Sequence, residues 1–167
     1  MLWGPDLIAL DVMVPKGHPL HSDDVVEAYR WVGETLASAL GSLDMSVRAL
    51  PPDEARRAND PHLAELACYA GRSPWEVVLG ERKVVGLSQV RRRQGTLVQA
   101  GFALHLDGPG LAGLLRLEPD DRHRVAGAFG RQRPPMLIDL PSLVQTVDAA
   151  VERVLAEADP QSRDGRP

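Results

Sequence analysis

The chain is poor in sulfur, aromatics and lysine. Its 167 residues hold one cysteine, Cys68, so no internal disulfide can form, which excludes a stapled secreted scaffold and fits a reducing, cytoplasmic setting. Gly 15 and Pro 14 are scattered without a period, which excludes a collagen-like chain. No apolar run approaches the roughly 20 residues that span a bilayer; the longest are broken by Asp11 or Pro15 near the start and by Asp107 further on. The first residues also lack the basic segment and small-residue cleavage site of a secretory leader. The net charge of −4 and pI of about 5.7 leave no field to hold nucleic acid or an anionic membrane, so neither is expected as a partner. What remains, at 44% hydrophobic, 25% charged and 4% aromatic residues, suits one ordinary globular domain.

Familiar motifs are missing as well. His18, His21, His62, His105 and His123 are dispersed, without the His-x-x-x-His or Cys-His pairing of zinc sites, so no metal is expected. There is no phosphate-binding P-loop, dinucleotide fingerprint or Gly-x-Ser-x-Gly elbow. Of 19 basic residues only Lys16 and Lys83 are lysine. In a sequence that writes positive charge as arginine, a surviving lysine can be present for its chemistry, as a compact, mobile donor that a planar guanidinium does not imitate. Chance is the competing explanation.

The patterning that is present predicts blocks of strands and helices. Leu7 to Val14, stopped by Pro15 and Gly17, reads as a buried strand. Ser22 is placed as an N-cap, with Asp23 and Asp24 in the first turn of a helix carrying Val25, Tyr29, Val32, Leu36 and Leu40 until Gly41. Met45 to Leu50 reads as a strand and Pro51 to Pro61 as a polar loop. Glu76 to Val85 reads as a β-hairpin about the turn Gly80-Glu81-Arg82, ended by Gly86, and Thr96 to Leu106 as a further strand. Helices are predicted through Leu111, Leu114 and Leu115, from Pro119 to Phe129, and from Pro141 onward, with Arg131 to Pro135 as a linker. Without strict βαβ alternation, this is an α+β domain with a largely antiparallel or mixed sheet flanked by helices. Residues 1–158 are taken as a single, partial domain and 159–167 as a disordered tail.

Three features can carry chemistry. Cys68, just before the turn at Arg72, Ser73 and Pro74, is either a nucleophile that forms a thioester or a small buried hydrophobe. Lys83 leads Val84, Val85 and Gly86; it can polarise an acyl carbonyl or neutralise phosphate, with Gly86 permitting close approach, or it is an exposed hairpin lysine. Arg91, Arg92 and Arg93 can grip a phosphate or an acidic partner, or form a solvated loop.

Cys68-Tyr69-Ala70-Gly71, Ser73 to Val77, Arg82-Lys83-Val84-Val85-Gly86, Ser88-Gln89, Arg93, Gly95, Leu97 and Gln99 to Gly101, taken in order, resemble the central block of the lipoate-protein ligase and octanoyltransferase family. Asp6 to Pro15, His18-Pro19, Ser22 to Val25, Tyr29 and the stretch to Leu40 resemble the segment before it, so the likeness covers roughly residues 4–117. It implies the α+β fold shared with biotin-protein ligases. It also implies that Lys83 and Cys68 are catalytic, that Lys83, Val84, Gly86, Ser88, Gln89 and Gly101 bind the acyl group or its adenylate, and that Arg91, Arg92 and Arg93 dock phosphate or carrier.

In the ligase branch, lipoate activated with ATP and magnesium passes to a lysine of a lipoyl carrier domain or glycine-cleavage H protein. In the other branch, a cysteine fifteen positions before the family lysine, the spacing of Cys68 and Lys83 here, takes octanoate from acyl carrier protein and needs no cofactor. The resemblance favours a ligase-type enzyme, with the octanoyltransferase second. Two features depart from the pattern: Ala100 stands where the family's Gln-His-Gly histidine is usual, and the family's Arg-Arg-x-x-Gly-Gly-Gly-Ala-Val loop is absent. The chain is therefore expected to be a fragment, to be completed by a separate N-terminal chain, or to be a non-catalytic binding module. An exposed sheet edge and apolar surface are expected to favour association.

Overall fold

Alternation along Leu7–Pro15 makes the first strand, β1: Val12 and Val14 are buried, whereas Ala9, Asp11 and Met13 on the opposite side are exposed. The computed structural model describes residues 7–103, 106–129, 131–132 and 139–159. After β1 come a 3-10 turn at Glu27–Tyr29, α1 (Arg30–Gly41), β2 (Val47–Ala49), α2 (Pro52–Ala58), α3 (Pro61–Leu66), β3 (Val77–Leu79), β4 (Arg82–Arg92) and β5 (Gly95–Ala103). The chain continues through β6 (Leu106–Asp107), α4 (Gly108–Leu114), α5 (Pro119–Phe129), β7 (Arg131–Gln132) and α6 (Leu140–Ala158). The main sheet has the order β1-β5-β4-β3-β2, antiparallel throughout; β6 and β7 pair separately. This is the expected α+β architecture.

One face of the main sheet is covered. Val12, Val14, Val85, Val98 and Phe102 meet Val32 and Leu36 of α1 and Leu143, Val147 and Val151 of α6 in the principal core. The helices supply these contacts because their apolar residues recur at three- and four-residue spacing. A second, smaller core joins Ala103 of β5 to Ala112, Val125 and Phe129 of α4 and α5. The rest of the opposite face, along β1, β5 and β4, carries the exposed residues Met13, Ser88 and Val90.

Several boundaries differ from the sequence reading. Ser22 does not cap α1: the Asp24 carboxylate accepts from the Val26 and Glu27 N–H groups and starts a 3-10 turn, and the α-helix begins at Arg30. The expected loop from Pro51 to Pro61 contains α2, and α3 starts at its last residue. Pro52 suits the start of α2, where its missing N–H costs nothing, and Asp53 and Glu54 in the first turn and Arg56 and Arg57 in the last complement the helix dipole; Asp60 caps α3 through the His62 and Leu63 N–H groups. Gly86 does not end its strand, because its neighbours continue pairing with β5 as far as Arg92. Of the expected linker, Arg131 and Gln132 pair with β6; residues 133–135 and the tail from 160 lie outside the described residues. So does Gly130, while α5 runs over the predicted Pro119–Phe129.

Candidate functional site

A β-bulge builds the site. Val77 pairs with Val85 and Val78 with Lys83, so Val84 is an extra residue in β4. A regular strand would send residues three apart to opposite faces. Across the bulge, Lys83 and Gly86 instead meet the same side chain, Tyr69: the Lys83 ammonium lies 5.2 Å from its ring centroid, and a Cβ on Gly86 would lie 3.3 Å from Tyr69 Cζ. Val84 packs against the principal core.

Lys83 is buried, contrary to the picture of an exposed hairpin lysine. Its Nζ donates to Glu76 Oε1 at 3.0 Å and to the backbone carbonyl of Cys68 at 2.8 Å. Glu76, only 3% exposed, also accepts the Ser73 N–H at 2.7 Å on Oε2 and the Leu87 N–H at 3.3 Å on Oε1. Burial pushes the Glu76 carboxyl above its usual range, against the pull of Lys83 and the two amides. Every one of these partners is a donor, and a carboxylate that only accepts is the ionised form. Glu76 is seated by its backbone too: its carbonyl accepts from the Leu50 N–H, and the preceding Trp75, at φ 66, donates its N–H to the Leu50 carbonyl.

Cys68 is exposed, not a buried hydrophobe. It sits in a turn after α3 closed by the Ala70 N–H on the Ala67 carbonyl. The next residue, Tyr69, crosses to the sheet, where its hydroxyl donates to the Gly101 carbonyl at 2.5 Å. Burial, augmented by the charges of Glu76 and Cys68, pushes its phenol up to about 12. Gly86 stands opposite Gly101, which stands opposite Ala9 on β1, so a lane of the sheet beneath Tyr69 is nearly free of side chains. The neighbouring row is polar: Ser88, Gln99 and Asp11, with Gln99 donating to Asp11 at 3.0 Å.

The structure thus brings Lys83, Gly86, Gly101 and the Cys68 turn together, with Ser88 one step along the same face. Other expected residues turn away. Gln89 donates to the Val25 carbonyl, and Arg91 donates to Gln89 and to the carbonyls of Ser22 and Asp23. At roughly 3.3 Å per residue, Arg91 lies about 26 Å along the strand from Lys83, so the two cannot share one phosphate. Arg92 and Arg93 are exposed beside the β4–β5 turn. Sequence reasoning did not assign Glu76 and Tyr69 to the site. The available signal was an acidic residue opening the otherwise apolar Val77–Leu79 run, and an aromatic beside the candidate nucleophile.

No family model matches the chain. The octanoyltransferase LipM of Kyrpidia tusciae is 29% identical over 154 residues, 90% of this chain and 56% of that protein. The octanoyltransferase LipM of Symbiobacterium thermophilum is 34% identical over 94 residues, 56% of this chain and 34% of that protein. The chain spans about half the length of the first of these relatives. Among solved structures, a bi-partite lipoate protein ligase studied with its E2 lipoyl domain from Thermoplasma acidophilum matches with a TM-score of 0.64 at 15% identity, over 90% of this chain and 52% of that one. Lipoate-protein ligase A bound with ATP matches at 0.55 and 16%, over 89% and 51%. At these identities the structural likeness is one of fold. The chain is thus similar in sequence to curated octanoyltransferases and in fold to lipoate-protein ligases.

Proposed function

We propose that the chain carries the acyl-transfer centre of a cysteine-dependent octanoyltransferase, with Cys68 as nucleophile and Lys83 as the donor that polarises the acyl carbonyl. The observation that carries this reading is an exposed Cys68 whose backbone is held by a buried lysine ammonium, beside a side-chain-poor lane between Gly86 and Gly101. The names of the curated relatives favour this branch over the ligase. The Cys68 thiolate attacks the carbonyl of an octanoyl thioester on acyl carrier protein, the carrier's C–S bond breaks, and the departing thiolate takes the proton that Cys68 gave up. A lysine amine of a lipoyl carrier domain then attacks the Cys68 thioester, forming the amide and restoring the thiol. No cofactor takes part in either step. The lane under Tyr69 receives part of the acyl chain, and a reducing, cytoplasmic setting keeps the thiol free.

The fold likeness to a ligase bound with ATP supports a second reading, in which Lys83 faces a lipoyl-adenylate made from ATP and magnesium. Intact-protein mass spectrometry distinguishes the two. Incubation with octanoyl-acyl carrier protein is expected to add one octanoyl group that hydroxylamine removes and that Cys68→Ser abolishes. Lipoylation of a lipoyl domain that requires ATP and persists in Cys68→Ser would establish the ligase instead. Silence in both arms from a folded chain, with binding to the lipoyl domain retained, would favour a binding module.

A further inference from the structure

Glu76 is a costly residue to place where it is. Removing a carboxylate and an ammonium from water carries a desolvation penalty that their mutual attraction repays only with good geometry and further hydrogen bonds, and well-packed apolar pairs often replace such ion pairs without loss of stability. The Glu76 and Lys83 side chains are 4% and 5% exposed. Stability alone therefore gives little reason for the pair.

The hydrogen bonds suggest another reason. The carboxylate reaches two segments at once: Ser73 of the loop after the Cys68 turn, and β4 at Lys83 and Leu87 on either side of Gly86. Lys83 in turn reaches the Cys68 carbonyl. An ammonium has three N–H bonds, and these two hydrogen bonds leave a third with no hydrogen-bond acceptor among the described residues, the Tyr69 ring centroid lying 5.2 Å from the nitrogen. The seat of Glu76 is itself rigid, because Gly33 of α1 packs so closely on Trp75 that a Cβ there would lie 2.0 Å from the Trp75 carbonyl oxygen.

We infer that Glu76 is a positioning residue of the acyl-transfer centre: its carboxylate fixes the Lys83 ammonium so that one N–H holds the Cys68 turn while another stays free for the carbonyl of the acyl group. This rests on the reading of Cys68 and Lys83 proposed above. It assigns Glu76 no contact with substrate; the residue acts through Lys83.

The experiment compares the full chain with Glu76→Gln and Glu76→Asp. The first reaction is acylation of Cys68 by octanoyl-acyl carrier protein. The second is alkylation of Cys68 by iodoacetamide, which involves no acyl carbonyl to polarise. Removing one preorganised donor to a developing oxyanion typically slows reaction by about 10²–10³-fold, so Glu76→Gln is expected to lose acylation on that order while alkylation stays within about twofold of the parent. Glu76→Asp, which keeps the charge, is expected to recover part of the acylation rate. Parallel loss of both reactions, or no loss in either, would overturn the inference.

A third measurement does not depend on turnover. Acetic anhydride labelling at one fixed pH reports access to the Lys83 amine, with Lys16 as the internal reference. Because the Glu76 carboxylate holds the Lys83 ammonium, Glu76→Gln is expected to raise Lys83 labelling relative to Lys16 severalfold and Glu76→Asp to leave it near the parent's; equal labelling in the parent and Glu76→Gln would overturn the inference. If the parent chain takes no octanoyl group, the transferase reading fails, and Lys83 labelling alone decides whether Glu76 positions Lys83.

Discussion

Tyr69 shows how one side chain can join a nucleophile's turn to the sheet beneath it. Its backbone follows Cys68, its ring lies near the Lys83 ammonium and its hydroxyl donates to Gly101. Burial opposes the phenolate, so the group's value of about 12 lies above the ordinary 10.0. A raised value means that the folded chain holds the proton more tightly than the unfolded chain. The corresponding stabilisation is fully present below pH 10.0 and is lost as pH rises through about 12. Tyr29, the other tyrosine, is also shifted upward, chiefly by burial. The folded protein is therefore expected to show little phenolate absorbance at pH 10, and the absorbance should appear with loss of circular dichroism as the pH rises further. Half-ionisation of one tyrosine near pH 10 in a chain with unchanged circular dichroism would contradict the burial of Tyr69.

Between α1 and the site the critical contact is backbone on backbone. Gly33 is the fourth residue of α1; within a helix glycine costs about 1 kcal/mol relative to alanine, so Gly33→Ala would stabilise an isolated helix. Here the added Cβ would meet the Trp75 carbonyl oxygen at 2.0 Å, and overpacking of this kind costs typically about 1–3 kcal/mol. The variant is expected to unfold at lower urea concentration, with a lower midpoint and an unchanged slope; a midpoint equal to or above the parent's would mean that the helix lies further from Trp75. This contact marks the limit of what the sequence could reveal. The apolar spacing of Val32, Leu36 and Leu40 announced α1, and a short apolar run announced β1 and a mixed one β5, because those signals are local; the run from Leu7 to Val14 read as a buried strand, whereas the folded chain exposes Ala9, Asp11 and Met13 on one side of it. Gly86 beside Lys83 was legible as a place of close approach, but the fifteen-residue spacing of Cys68 and Lys83 and the part of Gly101 were visible only as elements of a resemblance. The bulge at Val84 and the Glu76 carboxylate depend on how β3 registers against β4, and no local pattern encodes that register. The helices between Pro51 and Leu66 were missed for a different reason: they are short, and the dipole-matched charges of α2 and the Asp60 cap of α3 outweigh a loop-like setting.

At the scale of the molecule, the site lies on a seam. Lys83, Gly86 and Gly101 belong to strands backed by the principal core of β1, β4, β5, α1 and α6. The Cys68 turn emerges from α3, which with α4 and α5 packs around the much smaller core of Ala103, Ala112, Val125 and Phe129. Regions with fewer buried apolar contacts open at lower free energy, in contiguous cooperative units. Native-state hydrogen exchange is therefore expected to divide the chain along this seam. Amides of β4 and β5 should exchange at the global unfolding free energy, while those of α5 around Val125 and Phe129 should exchange through a cheaper opening that also releases the turn at Tyr69 and Ala70. One free energy shared by α5 and β5 would show instead that both layers unfold as a unit. If the division holds, the bonds from Lys83 to the Cys68 carbonyl and from Tyr69 to Gly101 clamp the looser layer onto the stiffer one. Glu76→Gln, which weakens that clamp, should then speed exchange at Tyr69 and Ala70 while leaving the slowest amides of β5 unchanged.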